Sequence, residues 1–205
     1  MGQPRLIFMP GAGADPSFWR PLGGLLPTGW DKVYLAWPGI GDQPAQPGVE
    51  GLEGAIGLVE AQMTDGPVDL LAQSMGGLIA MLTVLRNPSK VRRIVLSVTS
   101  GGVDMERFGA ADWRESYRRS HPQAAAWITT VRADLSARLA TVTQPTLLLW
   151  GDADPISPVA VGERLRDLLP YARLHVVAGG EHDVVNARAG ELAPLVQAHL
   201  EAEDA

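Results

Sequence analysis

Pro67-Val68-Asp69-Leu70-Leu71-Ala72-Gln73-Ser74-Met75-Gly76-Gly77 runs from an apolar segment, through a serine between small residues, into a helical pattern. Residues 67–72 read as a short buried strand, and 77–86 carry apolar residues at helical spacing. Ser74 stands at the junction, with Ala72 and Gly76 two positions away on either side. A sharp strand-to-helix turn of this kind lifts a hydroxyl above the end of a sheet. It needs small neighbours because two backbones nearly touch there. Ser74 is therefore the candidate nucleophile, against the plainer reading of a tight βα connection with a structural serine.

Two later stretches bear on that choice. Pro145-Thr146-Leu147-Leu148-Leu149-Trp150 reads as another buried strand and runs into Gly151-Asp152-Ala153-Asp154-Pro155-Ile156-Ser157-Pro158. Arg173-Leu174-His175-Val176-Val177 reads as a last strand and is followed by Gly179-Gly180-Glu181-His182-Asp183. Serine, aspartate and histidine thus follow one another, each on a loop directly after a strand. In a parallel sheet such loops all leave the carboxyl edge, so residues distant in sequence can converge. His182 is the candidate general base, and Asp152 or Asp154 the carboxylate that orients it. Asp183 cannot easily fold back onto the neighbouring ring. His121, His175 and His199 lack such placement and read as exposed or partly packed.

Strand patterns occur at 5–9, 32–37, 67–72, 92–98, 146–150 and 173–178, mostly as continuous apolar runs that suit strands covered on both faces. Helical patterns fall between them at 16–26, 52–63, 77–87, 159–169 and 190–202. The βαβα rhythm predicts an α/β fold, a doubly wound and mainly parallel sheet of about six strands with helices on both faces. Residues 1–205 read as one domain. The segment 101–143 breaks the rhythm: it has no strand pattern, and 112–117 and 124–128 suit helices. It is either a short lid inserted after a carboxyl strand end or an ordinary pair of surface helices.

Composition narrows the classes. The chain has 205 residues, a net charge of −6 and no basic run, which argues against nucleic acid or an anionic membrane as partner. It has no cysteine, which excludes disulfides, cysteine nucleophiles and thiolate metal sites. No segment reaches membrane-spanning length, and the apolar run after Met1 is too short for a secretory signal. A cytoplasmic protein acting on a small molecule, with no metal or organic cofactor, is the expectation. The acidic tail Glu201-Ala202-Glu203-Asp204 reads as a solvated end.

Four motifs resemble those of the α/β-hydrolase superfamily: Met9-Pro10-Gly11-Ala12-Gly13, Trp37-Pro38-Gly39-Ile40-Gly41-Asp42, Ala72–Gly76, and Gly151–Pro158 with Gly180–His182. The resemblance covers nearly the whole chain. It implies an oxyanion loop at 9–13, a P-G-x-G turn at 38–41, and Asp154 rather than Asp152 as the orienting carboxylate. Backbone N–H groups of Met75 and Ala12 are then the expected oxyanion donors, with Gly13 replacing Ala12 if the loop is shifted by one. Pro10 and Ala72 depart from the family pattern, which commonly has histidine and glycine there. The reading opens directly on the strand at 5–9, so the antiparallel lead-in strands of many members are not expected. Six tryptophans against three tyrosines and three phenylalanines are notable. Trp19, Trp37, Trp113 and Trp127 fall near the carboxyl edge and are candidates for an apolar substrate pocket. The implied activity is a serine hydrolase cleaving a small, mostly apolar ester through an acyl-enzyme on Ser74. The alternative is a binding protein on the same scaffold with little or no turnover.

Overall fold

The computed structural model describes residues 5–63 and 66–202. Six strands, β1 (Arg5–Met9), β2 (Lys32–Tyr34), β3 (Val68–Gln73), β4 (Val91–Ser97), β5 (Thr146–Gly151) and β6 (Ala172–Val177), form one sheet in the order β2-β1-β3-β4-β5-β6. Every pairing is parallel. The interior strands β3 and β5 are buried along their full length, as their largely apolar runs predict, Asp69 of β3 included. The two edge strands differ. β2 stops at Tyr34, short of the predicted Trp37, and β6 leaves Arg173 and Val176 exposed. An edge strand has one ladder neighbour, and Pro38 draws the chain after β2 away from it.

The helices are α1 (Arg20–Leu25), α2 (Gly51–Glu60), α3 (Met75–Arg86), α4 (Arg114–Ser120), α5 (Trp127–Thr130), α6 (Ser136–Leu139), α7 (Val159–Leu168), α8 (Val184–Ala187) and α9 (Ala189–Glu201). α1 is shorter than the predicted 16–26, its place before Arg20 being taken by turns. α3 begins two residues earlier than its pattern indicates, so Gly76 and Gly77 lie in its first turn. The segment 101–143 holds α4, α5 and α6 and a short 3₁₀ turn at Met105–Phe108. The acidic tail beyond 202 lies outside the described residues. Among the described residues no helix is long and apolar enough to cross a membrane.

The strand order explains where a site can form. The connection from β1 leads outward to β2, whereas the later ones lead the other way, from β3 to β6. Right-handed crossovers then put α1 on one face and α2, α3 and α7 on the other. The packing agrees: α1 lies against α9, and α2 against α3. Loops leaving the adjacent carboxyl ends of β1 and β3 therefore diverge, opening a crevice between them. The register pairs Met9 of β1 with Ala72 of β3, so the loop after Met9 and the turn at Ser74 emerge side by side.

Candidate active site

Ser74 sits between β3 and α3 with φ 53° and ψ −122°, a conformation that non-glycine residues rarely adopt. Such strain costs on the order of 1–3 kcal/mol and persists only when the surroundings over-determine it. They do. The Ser74 N–H donates to the Ser97 carbonyl at 3.0 Å, and the Ser74 carbonyl accepts from the Gly77 N–H at 3.0 Å. The Thr99 hydroxyl also donates to that carbonyl. The small residues have visible causes. A Cβ on Gly76 would lie 2.6 Å from the Pro10 carbonyl oxygen, and one on Gly77 would lie 2.3 Å from the Thr99 hydroxyl. Ala72 is fully buried in β3 and its methyl is accommodated.

The other two candidates meet this hydroxyl. His182 Nε2 lies 2.9 Å from Ser74 Oγ, and His182 Nδ1 lies 2.7 Å from Asp154 Oδ2. The second carboxylate oxygen of Asp154 accepts the Ile156 N–H at 2.8 Å, and its side chain is wholly buried. With Asp154 accepting from Nδ1–H, the lone pair at Nε2 faces the serine. Asp152 takes no part in this chain. It accepts the Gly179 N–H at 2.6 Å, tying the loop after β5 to the loop after β6. The loops touch so closely that a Cβ on Gly151 would lie 2.1 Å from the Gly180 carbonyl oxygen. His121, His175 and His199 are half-buried and take no part in the serine's hydrogen bonds.

Ser74 and His182 open into a cavity of about 650 Å³. Met75, Leu78 and Val98 wall it near the hydroxyl, and Val103, Trp113 and Ile128 from the 101–143 segment face them. Charged side chains of that segment, among them Glu106 and Arg132, form its outer part. The tryptophan expectation needs correction at three of four positions. Trp19 and Trp37 are buried in the core, their indole N–H groups donating to the Met9 and Pro10 carbonyls at 2.9 and 2.7 Å. They brace the loop after β1 from behind, since a buried indole N–H needs an acceptor and that loop supplies one. Trp127 is half-buried against the core, while its neighbour Ile128 takes the cavity-facing position. Only Trp113 lines the cavity.

Met75 is the first residue of α3, where the backbone N–H has no partner within the helix and the dipole favours negative charge. The loop of Ala12 and Gly13 passes directly against the serine: a Cβ on Gly11 would lie 2.8 Å from Ser74 Cβ. Two supporting residues escape sequence reading. Gln73 donates from Nε2 to the His182 carbonyl at 2.9 Å, and its Oε1 occupies the space beside Gly11. It thus joins three loops. Thr99 holds the serine's carbonyl and accepts the Gly101 N–H at 3.0 Å. The preceding Val98 carries a φ of 40°, a strained value for a β-branched residue, and this turn directs Thr99 beneath the elbow. Their position, next to the nucleophile and just past the end of β4, is the only signal either residue carried.

Comparison with known proteins agrees with this architecture. The profile of the alpha/beta hydrolase fold family matches residues 4–126, and that of a family described as TAP-like protein matches residues 111–202. The chain belongs to the alpha/beta hydrolase fold family. It is 32% identical to a pimeloyl-[acyl-carrier protein] methyl ester esterase of Neisseria meningitidis over 80% of this chain and 59% of the relative. It is 26% identical to polyketide synthase ThaQ of Burkholderia thailandensis over 97% of this chain and 12% of that protein. The chain thus spans less than two thirds of the length of either relative. A solved esterase from Thermogutta terrifontis superposes with a TM-score of 0.78 over 96% of this chain and 89% of its own, at 20% identity.

Proposed function

We propose that the protein is a carboxylic-ester hydrolase that cleaves a small, mostly apolar ester through an acyl-enzyme on Ser74. The observation that carries this reading is the unbroken chain from Ser74 Oγ to His182 at 2.9 Å and on to Asp154 at 2.7 Å, opening into a cavity. His182 Nε2 takes the serine proton as Oγ attacks the ester carbonyl, and Asp154 steadies the imidazolium that forms. The negative charge on the carbonyl oxygen is met by the N–H of Met75 and by that of Ala12 or Gly13. The imidazolium then returns its proton to the departing alcohol. In the second half, water attacks the acyl-serine with His182 again as base, releasing the acid and restoring the serine.

The segment 101–143 serves here as a lid, because it supplies the cavity wall opposite the nucleophile. A volume of about 650 Å³ suits a ligand of small-molecule size. The named activity of the meningococcal relative makes methyl esters of medium-chain acids the first panel to test. Purified protein should hydrolyse a short 4-nitrophenyl ester, and Ser74→Ala should lose about 10⁴–10⁶ of that turnover. A fluorophosphonate probe should label the parent and leave Ser74→Ala unlabelled. A binding protein without turnover would give neither hydrolysis nor label, and that result overturns the reading.

A further inference from the structure

The loop after β1 contains a hydrogen-bonded β-turn. The Ala14 N–H donates to the Gly11 carbonyl at 3.0 Å, so Ala12 and Gly13 are its central residues. In such a turn the peptide between the central residues can rotate by about half a revolution with both ends held, converting type I to type II. Type II needs a positive φ at the second central residue, which glycine adopts without strain. Gly13 is not among the positive-φ glycines, so the turn stands in its type I form with the other form open to it. Carbonyl and N–H point in opposite directions across a trans peptide. Rotation of this one peptide therefore exchanges the Ala12 carbonyl with the Gly13 N–H, turning a donor direction into an acceptor direction.

One side chain holds the peptide as it is. The Tyr117 hydroxyl, from α4, donates to the Ala12 carbonyl at 2.9 Å and accepts the Gly41 N–H at 2.8 Å. Gly41, at φ +54°, lies against the same loop, where a Cβ would come 2.4 Å from the Gly13 carbonyl oxygen. The ring is fixed as well, stacked on His121 at 4.7 Å and edge-on to Trp113 at 5.5 Å. A second bond, from the Ala125 N–H to the Gly39 carbonyl at 2.8 Å, fastens the 101–143 segment to the 38–41 turn. We propose that Tyr117 is a positioning residue: through its hydroxyl, the lid holds the Ala12–Gly13 peptide in the one of its two orientations that keeps the oxyanion loop a hydrogen-bond donor. This rests on the reading of the Gly13 N–H as the loop's oxyanion donor, since the Ala12 N–H belongs to the preceding peptide and is not turned by the rotation. It adds that the seated lid, and not the loop alone, sets the loop's donor geometry.

Tyr117→Phe keeps the ring contacts and removes only the hydroxyl. On a 4-nitrophenyl ester it should lower kcat about 10- to 100-fold, somewhat less than outright loss of a donor, with KM changed less than twofold. Gly13→Ala disfavours the rotated form, and its methyl meets open space. In that background Tyr117→Phe should therefore cost less than threefold. An equal cost in both backgrounds, or a kcat within twofold of the parent, overturns the proposal. Backbone amide NMR reads the turn without any turnover. In Tyr117→Phe the Gly13 amide should broaden by exchange, and adding Gly13→Ala should sharpen the residue-13 amide again. Unchanged Gly13 and Gly41 amides in Tyr117→Phe overturn the proposal even if esterase activity stands. Broadening in a protein that hydrolyses no ester would leave the turn device in place and remove the function assigned to it.

Discussion

Two buried carboxylates, Asp154 and Asp69, look alike by exposure and differ in everything else. Both side chains are 0% exposed, and their partners His182 and Arg92 are 26% and 25% exposed. Asp154 sits on a loop beyond the carboxyl end of β5 and faces an imidazole. Asp69 sits near the amino end of β3 and faces a guanidinium at 2.5 Å. An imidazole gains and loses a proton in the neutral range, so Asp154 can stabilise a charge that appears only during reaction. A guanidinium stays charged throughout, so Asp69 holds a fixed pair. Burial nevertheless pushes the Asp69 carboxyl up to about 6, the Arg92 and Arg93 charges only partly offsetting it. Burial of a carboxylate therefore does not mark a functional site. The partner's chemistry and the edge of the sheet carry the proposed assignment of Asp154.

The largest test of this contrast is Asp154→Asn. Turnover should fall about 10³–10⁴-fold, while the thermal midpoint should move by only a few degrees. A variant that keeps a tenth of the parent's kcat would break the distinction. Asp69→Asn should behave in the opposite way. It lies about 15 Å along the strand from Ser74, so kcat should stay within threefold. Its effect belongs to stability against pH. The folded value near 6 exceeds the ordinary 3.8, so ionisation opposes folding. The contribution is intact below about pH 4 and lost as pH rises through 6, by about 3 kcal/mol. Denaturant unfolding of the parent and the variant across pH 4–7 should show that slope as the difference between their two profiles.

The smallest expected effect sharpens the same measurement. His199 Nε2 meets the Ile94 carbonyl at 3.1 Å, and burial, helped by nearby Arg93, lowers its pKa to about 4. Its contribution is intact above about pH 6.5 and lost as pH falls toward 4, the reverse of Asp69, by roughly 3 kcal/mol. Between pH 4 and 6 the two slopes oppose each other, and the parent's profile should be nearly level. His199→Gln should unmask the Asp69 slope, with stability rising as pH falls. A profile that stays level in the variant would mean that the two groups are not the opposed pair described.

Much of the site was legible before the fold. Ser74, Asp154 and His182 each announce themselves by small residues and turns placed directly after apolar strands, and a parallel sheet leaves few other meeting places. The choice between Asp152 and Asp154 was not readable from spacing alone. Both follow β5, and the resemblance picks Asp154 by its motif; in the structure Asp154 meets the imidazole while Asp152 accepts the Gly179 N–H. The tryptophans misled for a related reason. An indole near a carboxyl strand end can face a cavity or brace a loop, and Trp19 and Trp37 found loop carbonyls to satisfy their N–H groups. Gln73, Thr99 and Tyr117 had no pattern of their own, because each acts on a backbone group distant in sequence.

Local order and layering followed from the chain itself. Apolar runs of strand length, alternating with helical periods and punctuated by glycine and proline, admit few arrangements other than a doubly wound parallel sheet. Which polar groups would touch, and which way a turn's central peptide would face, was decided only in three dimensions. Hydrogen bonds are short-ranged and directional, so they depend on ångström-scale placement of loops, whereas hydrophobic periodicity depends only on which face a residue occupies.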